Sequence, residues 1–216
     1  MTNTLRTLLA TVTILGLITS SGFGVNAWQD GRAERDGRQV RQRADALLAQ
    51  MTLEEKIGQM NQLFFFGTKA EGATLDALRK GQIGSFLFIT DAALINSLQR
   101  AAVTESRLKI PLIFGFDVTH GFHTIFPVSI AMAASWDPKL IENAQAIAAR
   151  EARAVGINWT FAPMVDITRD PRWGRIVEGA GEDPYLGAVM AQAHVRGLQG
   201  DRIGSPDRLL ACAKHF

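Results

Sequence analysis

A chain of 216 residues, 47% hydrophobic and 20% charged, has enough apolar material for one or two folded domains. A formal net charge of +2 is too small to suggest a nucleic-acid partner. One cysteine, Cys212, excludes an internal disulfide; inside Leu209-Leu210-Ala211-Cys212-Ala213 it reads as a small buried filler rather than a nucleophile.

In chain order, Arg6 precedes an uncharged stretch from Leu8 to Val25, and Val25-Asn26-Ala27 places small residues where a signal peptidase reads them. Residues 1–27 are therefore expected to be a signal peptide and the mature protein to be periplasmic or secreted. The apolar part is short for a permanent anchor, and no second span follows, so no stable membrane span is expected after cleavage. Residues 28–43, with Arg32, Arg35, Arg38, Arg41 and Arg43 among acids and glutamines, read as a solvated linker and polar lead-in.

The folded part is expected from residue 44 to 216. Val40 to Gln50 predicts a helix, and Met51-Thr52-Leu53-Glu54-Glu55-Lys56 starts another, with Thr52 and Glu55 as a capping box. Leu53, Ile57 and Met60 then share one helix face. Asn61 to Phe66 is a weak strand and Ile83 to Ile89 a clearer one, followed by a helix from Ala92 to Glu105. Pro111 to Asp117 is an apolar run ended by an acid. A helix from Pro138 to Ala154 leads into the run Ile157 to Pro163; Leu186 to Leu198 is helical, and Leu209 to Phe216 is a last strand. Trp136 and Trp159 both read as packing residues.

Unalternated strand runs separated by helices predict a parallel sheet covered on both faces, an α/β fold. There is no G-x-G-x-x-G and no phosphate loop. Polar residues recur instead at several strand ends, at Asp117, Asp166 and Lys214-His215. Several strands contributing to one rim is barrel behaviour, so the expected architecture is an incomplete (β/α)8 TIM-type barrel of about five strand–helix units.

Three constellations carry the chemistry. Asp117 ends its apolar run and can accept hydrogen bonds from neighbouring hydroxyls, or cap its own loop. His120 and His123 nearby read as loop-packing residues, since no metal-ligand pattern supports them. Arg169-Asp170-Pro171-Arg172-Trp173-Gly174-Arg175 forms an ordered polar loop. An arginine there offers a fixed fork of donors. Arg172 and Arg175 are expected to pair with Glu178, Glu182 or Asp183, at least one of them structurally, while Trp173 either packs or presents a flat face to a sugar ring. Lys214 and His215 reach a rim together only if the strand ends there. One carboxylate, arginine, lysine and histidine suit a polar, polyhydroxy ligand; they do not reveal a reaction.

Several long stretches resemble the N-terminal catalytic domain of glycoside hydrolase family 3, notably its exported bacterial β-glucosidases. They are MTLEEKIGQM (51–60), GFDVTHGF (115–122), FPVSIAMAASWDPKL (126–140), NWTFAPMVDITRDPRWGRIVEGAGEDPYL (158–186) and ACAKHF (211–216). The resemblance implies a (β/α)8 barrel and retaining hydrolysis of terminal non-reducing β-D-glucosyl residues with release of glucose. It implies a β-linked oligosaccharide or glucoside as substrate and no metal or organic cofactor. Asp117, Arg175, Lys214 and His215 would line the pocket for the terminal sugar, with Arg172, Trp173 and Glu178 supporting the loop. The nucleophile and acid/base, two carboxyl groups about 5 Å apart in a retaining enzyme, would lie beyond Phe216, leaving this segment alone inactive. A β-xylosidase or broader exo-β-glycosidase of the same family, or a non-catalytic sugar-binding fragment, are the alternatives. Nothing in the sequence sets an oligomeric state.

Overall fold

The computed structural model describes residues 37–65, 67 and 69–215. The expected signal peptide and the lead-in as far as residue 36 lie outside the described residues. The chain divides into two compact units between Met51 and Thr52. In the first, α1 spans residues 37–48 and is exposed along almost its whole length. The last part of the expected linker is thus helical: its arginines, glutamines and alanines are strong helix formers and suit a solvated helix.

The second unit alternates strands and helices. α2 (Leu53–Met60) opens on the anticipated capping box, with Thr52 Oγ1 accepting from the Glu55 N–H at 3.2 Å and Glu55 Oε2 from the Thr52 N–H at 2.9 Å. Its buried residues are Glu55 and Gly58, whereas Leu53, Ile57 and Met60 are exposed. Gly58 turns the helix this way: a Cβ there would sit 2.0 Å from the Gly81 carbonyl oxygen, so the backbone itself forms the contact. Glu55 meanwhile accepts from Arg107 Nε at 2.9 Å, which neutralises its buried carboxylate.

β1 (Gln62–Phe64), α3 (Gly72–Arg79), β2 (Ser85–Leu87), α4 (Ala92–Glu105) and β3 (Ile113–Phe116) follow. Then come α5 (Ser129–Ala133), α6 (Pro138–Ala154), β4 (Trp159–Thr160), two 3-10 turns at Pro171–Trp173 and Ile176–Glu178, α7 (Pro184–Gln199) and β5 (Leu210–Ala211). Asp91, Asp137 and Asp183 cap α4, α6 and α7 through side-chain oxygens, and Pro138 and Pro184 occupy the first turns of the last two. The short helices α3 and α5 carry no comparable signal, and the sequence reading missed both.

The five strands form one parallel sheet in chain order, β1-β2-β3-β4-β5, with Gln62 opposite Ser85, Ser85 opposite Ile113, Gly115 opposite Trp159 and Trp159 opposite Leu210. This is the expected α/β fold, consistent with the wall of a TIM-type barrel. The core fills in patches. Phe86 and Phe114 stack with ring centroids 6.1 Å apart and lie in one cluster with Leu94, Ile95 and Leu98 of α4. Ala148, Ala149 and Ala152 of α6 share a second with Ile157, Leu198 and Leu209. α6 and α7 come close at Gly197, where a Cβ would lie 2.5 Å from the Glu142 carbonyl oxygen.

Two packing expectations are corrected. Trp136 is 75% exposed, because it stands in the turn between α5 and α6 outside every core cluster. Cys212 is half-buried rather than buried, as it lies just past β5 where the ladder ends. Trp159 is half-buried against Phe161, centroids 4.6 Å apart. No helix among the described residues is long and apolar enough to cross a membrane.

Candidate functional site

The ends of β3, β4 and β5 bring the polar residues together. Asp117 follows β3 directly, and the next residue is pinned from both sides: the Val118 N–H donates to Thr160 Oγ1 of β4 at 2.9 Å, and the Val118 side chain is fully buried. That anchor leaves the Asp117 carboxylate at the rim. Beyond β5 the chain stays attached to the segment after β4. The Lys214 N–H donates to the Pro163 carbonyl at 3.0 Å and the Val165 N–H to the Lys214 carbonyl at 2.7 Å. This bridge sets Lys214 beside Met164, and His215 beside Asp166. The peptide bond between Lys214 and His215 is cis.

Two linked sets of contacts result. Lys214 Nζ donates to Asp117 Oδ1 at 2.9 Å, the lysine side chain being only 16% exposed. Asp166 Oδ2 accepts from the His215 main-chain N–H at 3.2 Å and lies 3.0 Å from His215 Nδ1. Arg175 Nη1 approaches His215 Nε2 at 3.0 Å, while its Nε and Nη2 donate to the two carboxylate oxygens of Glu178, each at 2.7 Å. A fork-to-fork pair of this kind fixes direction as well as attraction.

The local sequence explains how Arg175 arrives there. Asp170 caps the first 3-10 turn by accepting from the Arg172 N–H at 2.9 Å, Pro171 starts it, and Gly174 ends it at φ +81°, a left-handed conformation suited to glycine. The second turn then brings Glu178 three residues past Arg175, within reach of its guanidinium.

The electrostatics agree with one charged cluster. Hydrogen bonding from Arg175 holds the Glu178 carboxyl below its ordinary range, with the Arg175 and Lys214 charges adding to it. Arg175 is pushed further upward, chiefly by Glu178 and also by the fields of Asp117 and Asp166. Asp117, Arg175, Lys214 and His215 thus belong to one neighbourhood, together with Glu178.

Arg172 does not take the expected partner. It bonds Asp170, its Nε lying 2.9 and 3.0 Å from the two carboxylate oxygens, and it is 89% exposed. The capping Asp170 is the nearer acid, so Glu178 is left to Arg175. Trp173 is 41% exposed and lines an open hollow of about 380 Å³ with Asp166, Ile167, Thr168, Arg169 and Asp170. His120 Nδ1 lies 2.9 Å from the Phe126 carbonyl, a loop-packing contact. Asp166 is the member absent from the expected set; its signal was its position at a strand end, after Pro163-Met164-Val165.

Chemically, the cluster presents a surplus of donors. An arginine has five N–H groups, and three on Arg175 are engaged with Glu178 and His215. Among the described residues, one N–H on Nη1 and one on Nη2 remain for a ligand, as do two on Lys214 Nζ. Asp117 Oδ2 remains as an acceptor. Donors interleaved with acceptors match vicinal hydroxyls, each of which donates and accepts.

Comparison with known proteins identifies the family. The sequence profile described as the glycosyl hydrolase family 3 N terminal domain matches residues 52–216. A periplasmic beta-glucosidase from Salmonella typhimurium is 38% identical over 170 residues, covering 79% of this chain and 22% of that protein. A beta-xylosidase from Formosa agariphila is 30% identical over 207 residues, covering 94% of this chain and 25% of the relative. The crystal structure of a beta-glucosidase from Listeria innocua in complex with glucose superposes with a TM-score of 0.73 at 38% identity, covering 81% of this chain and 26% of that one. The chain thus spans about a quarter of the length of the relatives it matches.

Proposed function

The chain belongs to glycosyl hydrolase family 3 through its N-terminal domain, and on that premise we propose that it supplies the sugar-holding half of an exported β-glucosidase. In this reading Asp117, Arg175, Lys214 and His215 line the pocket of the terminal non-reducing β-D-glucosyl residue, the first three through their free donors and acceptors and His215 by orienting Arg175. Glu178 fixes the arginine, and Arg172 with Asp170 shapes the loop before it. The supporting observation is the Asp117–Lys214 pair standing beside the Asp166–His215–Arg175–Glu178 chain. It joins the ends of three strands around donors and acceptors left free for hydroxyls.

Hydrolysis with retention needs a nucleophile and an acid/base. Asp117, Asp166 and Glu178 each already serve a cation or an imidazole, which suits them to binding and orientation. We place both catalytic carboxyl groups, and the strands that complete the barrel, in the part of the protein beyond Phe216. No cofactor enters this scheme. Export follows from the N-terminal segment, in keeping with the periplasmic relative.

A xyloside substrate is the second reading, carried by the likeness to a β-xylosidase. Expressing the complete gene product and residues 1–216 in parallel tests the proposal. The complete product is expected to release nitrophenol from an aryl β-glucoside faster than from the xyloside, with β-glucose as the first anomer seen by NMR; residues 1–216 are expected to release none. Inverted β-xyloside preference moves the substrate to the second reading. Absence of cleavage by the complete product, or full activity of residues 1–216, defeats the proposal.

A further inference from the structure

The contacts of His215 carry information about where its proton sits. A carboxylate only accepts hydrogen bonds and a guanidinium only donates them. Nδ1 faces Asp166 Oδ2 at 3.0 Å, so Nδ1 carries the hydrogen; Nε2 faces Arg175 Nη1 at 3.0 Å, so Nε2 offers its lone pair. One tautomer, neutral with Nδ1–H, satisfies both partners. The opposite tautomer sets a lone pair against the carboxylate and an N–H against an N–H, and the imidazolium repels the arginine.

We infer that Asp166 is a positioning residue: it holds His215 in the Nδ1–H tautomer and ring orientation that make Nε2 an acceptor, and through it fixes the third edge of the Arg175 guanidinium. Asp166 suits this role because its Oδ2 takes both the side chain and the main-chain N–H of His215, which locks the ring to the backbone. Which ring nitrogen carries the proton in a histidine is set by the partner of the other nitrogen. The consequence falls on Arg175. The two bonds to Glu178 set the in-plane direction of the guanidinium, and the third bond to His215 holds its opposite edge against tilting, so that its remaining N–H groups keep one direction. Asp166 itself need not touch a ligand. The functional part of the inference rests on the sugar-binding reading above; the tautomer does not.

The test uses the complete gene product labelled with ¹⁵N-histidine, as wild type, Asp166→Asn and Asp166→Ala, with His215→Asn to assign the signal. The ring nitrogen shifts of His215 are expected to show protonated Nδ1 and bare Nε2 at neutral pH in the wild type, and a mixture of tautomers in both Asp166 variants. In parallel, kcat/KM on an aryl β-glucoside is expected to fall about 10- to 100-fold, mainly through KM, at an unchanged melting temperature for the isosteric asparagine. A variant spectrum identical to wild type, or a kcat/KM within about twofold, overturns the inference. If the wild type cleaves no glycoside, the function proposed above falls while the tautomer spectra still decide this one.

Discussion

Asp117 and Lys214 are separated by 97 residues and meet at 2.9 Å, joining the loop after β3 to the segment after β5. Removing one partner leaves the other charge without compensation in a mostly covered place. Asp117→Asn and Lys214→Met are each expected to weaken glucose binding by about 2 kcal/mol, roughly thirtyfold. The double variant should lose less than the sum, because the two share one contact. Titration calorimetry on the complete gene product measures this; strict additivity would dissolve the claimed coupling.

Glu178 separates binding from stability. Its pair with Arg175 is partly exposed, 43% and 33%, so solvent screens it and its contribution to folding should be small. Glu178→Gln is therefore expected to leave the thermal midpoint nearly unchanged while raising KM severalfold, since Arg175 loses its guide. A large drop in melting temperature with KM intact would reverse the assignment from ligand orientation to structural support.

His194 gives the fold an acid limit. It is buried on α7, its Nδ1 has no hydrogen-bond partner among the described residues, and burial pushes its pKa down from 6.5 to about 4. The unfolded chain then binds the proton more readily than the folded one, so stability is complete above pH 6.5 and is lost as pH falls toward 4. The full loss amounts to about 3 kcal/mol. His194→Leu should flatten this part of the profile, read as the change in urea midpoint between pH 7 and pH 4. An unaltered slope would assign the acid sensitivity to other groups.

Glu151 holds the loop beyond Asp117. Its carboxylate accepts from the His123 N–H at 2.9 Å, the Thr124 N–H at 2.8 Å and Thr124 Oγ1 at 2.6 Å, and hydrogen bonding by Thr124 above all keeps its pKa low. The clamp is in force above the ordinary carboxyl pKa of 4.5 and is released as pH falls through the lowered folded value. Glu151→Ala is expected to speed hydrogen exchange at the amides of His123 and Thr124 at neutral pH. Exchange unchanged there would show that the turn closed by Gly121 and Ile125 holds by itself.

Long periodic segments were legible in the sequence. α4 and α6 have the expected limits, Ala92–Glu105 and Pro138–Ala154, because aspartate caps and alanine-rich interiors agree with their packing. The apolar runs before Asp117 and before Lys214 marked the rim for the same reason. Outcomes that depend on tertiary contact were not legible. The outward turn of α2 follows from the approach of Gly58 to Gly81, which no periodicity records. The partner of Arg172 was decided by a capping aspartate two residues away. Asp166 stood in plain view as a strand-end acid, but its value comes from a bridge between segments 163–165 and 214 that only folding makes.

The sheet order carries a kinetic meaning. Since each strand neighbours its immediate predecessor, a chain that emerges N-terminus first on the far side of the membrane can add every new strand to a template already made, from β1 onward. The order permits vectorial assembly, in which the lysine and histidine that close the cluster join a rim whose aspartates are already in place.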